Sequence, residues 1–193
     1  TLGDEIKWEL DNFGAHELTI AAKWISSQNP VEGSPLAVKA NSKTVKDIDG
    51  NMYNTVRVGA QVWLVENLRT RNFNDGTPIT SVDSLSLNWL KADSTKTSAF
   101  CKYFSKNESP ATNAEWVEKY SYLYNHYAVQ TNKLCPIGWH VPTDLEFSEL
   151  INFVGGASLA GKQLSVKGFD YWVDYNVGEN IYLWTGLPGG WRT

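Results

Sequence analysis

Cys135-Pro136-Ile137-Gly138-Trp139-His140-Val141-Pro142-Thr143-Asp144-Leu145-Glu146-Phe147 constrains the fold of this chain more than any other stretch. It runs from a cysteine through a Pro/Gly turn and a Trp to a proline and a helix start. Thr143 and Glu146, three residues apart, form a capping box ahead of an apolar pattern. Phe147, Leu150, Ile151 and Val154 recur at helical spacing, and Gly155-Gly156 stops them. That predicts a helix from about Asp144 to Val154. Trp139 and His140 fall in the turn before it, where His140 reads as a structural donor bracing the Cys135–Pro142 loop.

A β-meander lies upstream. Thr44 to Ile48 leads into Asp49-Gly50, a tight-turn pair, and Met52 to Val58 alternates, with Tyr53, Thr55 and Arg57 on one face. Gly59-Ala60 turns the chain again and Gln61 to Val65 returns. Asp75-Gly76 marks a further loop between Asn72 and Pro78. Residues 80–100, rich in Ser, Asp and Lys, read as a long irregular insertion. Residues 113–130 are predicted as one helix, with Trp116, Tyr120, Leu123 and Tyr127 on one face. A short helical turn is expected over Ser158 to Ser165, and short strands over 169–193.

Residues 1–43 stand apart. Glu17 to Trp24 alternates like a strand, and Ser26 to Pro35 has the Ser, Gly and Pro content of a linker. The strand reads either as the last one of an upstream β-domain or as an addition to the main sheet. The expected division is therefore a flanking strand and linker over 1–43 and one domain over 44–193.

Bulk properties exclude several classes. A length of 193 residues suffices for a sizeable core. The net charge of -4 and a pI near 5.4 give no electrostatic case for nucleic acid or an anionic membrane surface. No apolar run approaches the ~20 residues of a membrane helix. The opening Thr1-Leu2-Gly3-Asp4-Glu5 has no leader pattern, and the chain is expected to be a mature or trimmed form whose upstream part is missing. No Ser-His-Asp constellation, phosphate-binding glycine loop or diagnostic carboxylate pair stands out.

Taken in order, several short motifs point one way. Asp47-Ile48-Asp49-Gly50-Asn51-Met52-Tyr53 is followed by Gly59-Ala60-Gln61-Val62-Trp63-Leu64-Val65-Glu66-Asn67-Leu68. Then come Asn74-Asp75-Gly76-Thr77-Pro78-Ile79, Leu123-Tyr124, the Cys135–Phe147 block, Gly161-Lys162-Gln163-Leu164 and Leu187-Pro188-Gly189-Gly190-Trp191-Arg192. The series resembles the Fibrobacter succinogenes major paralogous domain over about residues 44–193. The resemblance implies an exported protein of the Bacteroidetes and Fibrobacteres type. It also implies an α+β fold similar to C-type lectins and sulfatase-modifying factors: a twisted antiparallel sheet, two helices and long loops. Some members of that family are adhesin-like modules at pilus tips. Its pattern continues past LPGGxR, so the chain is expected to be truncated at its C-terminus or completed by a strand from another chain. Residues 81–99 look longer than the family's usual insertion, which makes them a candidate specificity loop.

The expected function is therefore a non-enzymatic recognition or adhesion module at a cell surface or pilus tip. Its partners would be glycan, a host or bacterial surface protein, or pilin subunits, without nucleic acid and without membrane insertion. The rival expectation is a structural assembly module, and a third is a formylglycine-generating-type or metal-dependent enzyme. In an exported protein Cys101 and Cys135 would pair, closing a loop of about 35 residues and stabilising by roughly 3–4 kcal/mol. Two buried thiols or, with His126 and His140, a zinc site are the alternatives. Asp47, Asp49 and Asn51 begin like a calcium loop, but Val58 stands where a bidentate Glu belongs, and a hydrogen-bonded hairpin turn is the favoured reading. No cofactor is expected beyond that calcium candidate. Asp170, Tyr171, Trp172, Asp174, Tyr175 and Asn176, with Glu179 and Asn180 beyond them, are the candidate ligand site. Rings stack on the apolar faces of sugars, and planar carboxylates and amides bind hydroxyls. Alternatively, these aromatics fill a core.

Overall fold

The computed structural model describes residues 25–26, 39–82, 86–102, 113–167 and 178–188. The expected strand over Glu17–Trp24 and the candidate ligand residues Asp170–Asn176 lie outside them. Among the described residues the elements in chain order are β1 (Ile25–Ser26), β2 (Lys39–Lys46), β3 (Met52–Val58), β4 (Gln61–Leu64), β5 (Thr80–Ser81), α1 (Ser86–Ser94), β6 (Ala99–Lys102), α2 (Asn113–Tyr120), β7 (Tyr122–Tyr124), α3 (His126–Gln130), β8 (Trp139–His140), α4 (Asp144–Phe153) and α5 (Ala157–Leu164). The fold is α+β.

A five-stranded antiparallel sheet runs β2-β3-β4-β1-β8. The β2–β3 hairpin closes through Asp47–Gly50, where Gly50 adopts φ 89°. β1 lies inside this sheet: Ile25 pairs with Trp63 on one side and His140 on the other. β2 spans Lys39–Lys46, so residues on both sides of position 43 share one strand. A second sheet, β5-β6-β7, joins a parallel and an antiparallel pair. It lies beyond the single twisted sheet of the expectation.

Both faces of β3 and β4 are covered. Tyr53 and Leu64 enter one core with Leu68, Phe73, Ile79, Phe100, Tyr124 and Leu134. Val56, Val58 and Trp63 enter another with Leu150, Val154, Ala160 and Leu164 of α4 and α5. Alternation along the strands assigns the clusters to opposite faces. Trp63 is fully buried, with the Phe147 ring at 5.4 Å and the Trp184 ring at 6.0 Å.

Two expectations needed correction. The helix over 113–130 is split into α2, β7 and α3. Ser121 takes φ 67° and gives its hydroxyl to the Asn67 carbonyl, which stops α2. Tyr122, Leu123 and Tyr124, all buried, then form a strand against β6, as aromatics on a packed sheet do. Asn125 restarts the helix as an N-cap, accepting from the Ala128 N–H. The supposed irregular insertion contains α1 and runs into β6, because Trp89 packs with Cys101 and Leu123 in a third small cluster. The α4 helix and its capping box stand as expected.

Candidate functional site

The motif residues meet in a hydrogen-bonded frame. Asp47 accepts from the Asn51 N–H at 2.8 Å, the Asn51 amide at 2.8 Å and the Tyr53 hydroxyl at 2.7 Å. Tyr53 in turn accepts from the Arg69 N–H. Burial pushes the Tyr53 phenol far up, and its hydrogen bond to Asp47 adds to that, so it stays a donor. Asp49 reaches across to the next loop. It accepts from the Thr70 hydroxyl at 3.1 Å, from the Arg71 and Asn72 N–H groups and from the Asn72 amide. Partial burial raises the Asp49 carboxyl, but the Arg71 amide, Asn72 and Thr70 outweigh it and hold it below its usual range. The Asp47, Asp49 and Asn51 side chains, singled out for calcium, thus spend their oxygens on protein donors. Among the described residues no group of three or more His, Cys, Asp or Glu could hold a metal ion.

Gln61 ties the sheet to α4. Its amide donates to the Glu146 carbonyl at 2.9 Å and to Glu149 at 3.2 Å, while its oxygen accepts from the Trp63 indole at 3.1 Å. Glu146 closes the capping box: it accepts from the Thr143 N–H at 2.8 Å and hydroxyl at 2.9 Å. Its other oxygen lies 2.8 Å from His140 Nε2. Burial raises the Glu146 carboxyl, and the Thr143 amide and the His140 ring more than reverse it. His140 therefore joins β8 to α4. One Glu146 oxygen thus serves Thr143 and the other meets the imidazole.

The Asn74–Ile79 loop clamps the cysteine loop. Asn74 donates through its side chain to the Cys135 carbonyl and through its N–H to the Lys133 carbonyl. Asp75 pairs with Lys133 at 2.8 Å. Glu66 accepts two bonds from Asn54, both 2.6 Å, and Asn67 donates to the Tyr120 carbonyl.

The expected Cys101–Cys135 disulfide is not formed. Both side chains are buried thiols. Cys101 points among Trp89 and Leu123, whereas Cys135 joins the cluster of Tyr53 and Leu134. Burial pushes the Cys135 thiol far up, away from thiolate chemistry. The same separation removes the Cys2His2 alternative.

The candidate ligand residues Asp170, Tyr171, Trp172, Asp174, Tyr175 and Asn176 lie between two described ends that are fixed together. Gly178 approaches the chain so closely that a Cβ there would sit 2.0 Å from the Val166 oxygen and 2.7 Å from the Ser165 oxygen. The Glu179 N–H donates to the Lys162 carbonyl, and the two side chains form an ion pair at 2.7 Å. Val166 and Gly186 are joined through a backbone hydrogen bond. Of the polar groups read as flanking the site, Glu179 is thus engaged by Lys162. Asn180 is engaged by Thr185, accepting from its N–H at 2.8 Å and donating to its hydroxyl at 3.0 Å. Asn180 closes a turn in which Leu183 and Thr185 both adopt φ 56°. Sequence reasoning missed this turn, because neither Leu nor a β-branched Thr signals a positive φ. The Gly178-Glu179-Asn180 run was the readable part of it.

Comparison with known proteins supplies one relation. The sequence model of the Fibrobacter succinogenes major domain matches residues 56–192, well over half of the chain. No curated protein and no solved structure matches it.

Proposed function

The chain belongs to the Fibrobacter succinogenes major domain family, and on that premise we propose that it is a non-enzymatic, exported recognition and adhesion module. It works at a cell surface or pilus tip, with a C-type-lectin-like scaffold, and binds glycan or a surface protein. One observation carries the reading. The motif side chains Asp47, Asp49, Gln61, Glu66, Asn74 and Glu146 all bond to other parts of the same chain, which supports reading the motifs as a structural frame. Recognition then falls to residues outside that frame, as it does where a rigid scaffold carries separate binding segments. Asp170–Asn176 is the stretch with the stacking rings and planar polar groups for that task, and its flanks are clamped at Val166 and Gly178.

Strand completion by another chain is the rival. Among the described residues the outer strands offer little for it: β2 has a register shift between Asn41 and Thr44, a feature that blunts an edge, and β8 is two residues long. A glycan array probed with and without calcium tests the proposal, with Trp172→Ala beside the parent chain. Binding that Trp172→Ala abolishes supports a glycan site. An array with no hits in either condition removes the glycan reading and leaves a protein partner.

A further inference from the structure

We draw no further inference here: the strongest candidate, the Asn180–Thr185 turn with its positive-φ Leu183 and Thr185, its exposed Ile181 and Leu183 and its Tyr182 ring against Phe153, is an unpartnered apolar patch, and nothing in the structure shows what covers it.

Discussion

Asp49 shows how one carboxylate organises a loop. Its acceptors draw in donors from Thr70, Arg71 and Asn72, more than twenty positions away in sequence. The consequence for pH follows from sign. The folded carboxyl titrates below its usual range, as does Glu146, whereas the unfolded chain titrates normally. The stabilisation is therefore full above the unfolded value and is lost as pH falls through the lowered folded value. Thermal unfolding followed below about pH 4 should fall less steeply in Asp49→Asn than in the parent chain. Equal slopes would mean that the Asp49 bonds do not favour the ionised form. Gly178 makes a second case. Gly178→Ala drives a methyl into the Val166 carbonyl, and urea unfolding should report a loss of about 3 kcal/mol. The Asp-Gly and Asp-x-Asp pairs were readable as turns, because short polar side chains bond locally. Their reach to residues 69–72 was not, because nothing in a local window encodes which distant N–H a carboxylate meets.

Among the elements, α4 was legible to within a residue and 113–130 was not, and the reason is physical. Thr143 and Glu146 fix the start of α4 by bonds within four residues, and Gly155 at φ 100° fixes its end. The 113–130 segment carries ring spacings that suit a helix, but Tyr122, Leu123 and Tyr124 gain more by pairing with β6 over the core. Tertiary packing there overrides periodicity. Trp89 likewise folds α1 against β6 within a stretch too polar to read as a helix. Thr143→Ala removes the side-chain acceptor of the Glu146 N–H and one donor to its carboxylate. It should cost about 1 kcal/mol by chemical denaturation. Glu146→Gln should cost less, because an amide can still accept from the Thr143 N–H.

Across the molecule, β3 and β4 separate two apolar clusters, and Gln61, Asp47 and Asn74 stitch loops and α4 to that sheet. The α+β class and the order of motifs were visible in the sequence. The second sheet was not, since β5 and β6 together contribute only six residues. The cysteines were misread for a related reason: an export argument speaks for pairing, but Cys101 and Cys135 project into different clusters. In the native protein without reductant both should resist alkylation, and both should react on unfolding with no change of mass on reduction. Alkylation that appears only after reduction would mean a disulfide. The division between a frame built by the motifs and a recognition stretch at Asp170–Asn176 meets its most direct test in the thermal unfolding of Trp172→Ala beside Asp49→Ala and the parent. Asp49→Ala should melt lower while Trp172→Ala melts with the parent. A Trp172→Ala loss on the scale of a core aromatic, about 3–5 kcal/mol, with Asp49→Ala unchanged, would contradict it.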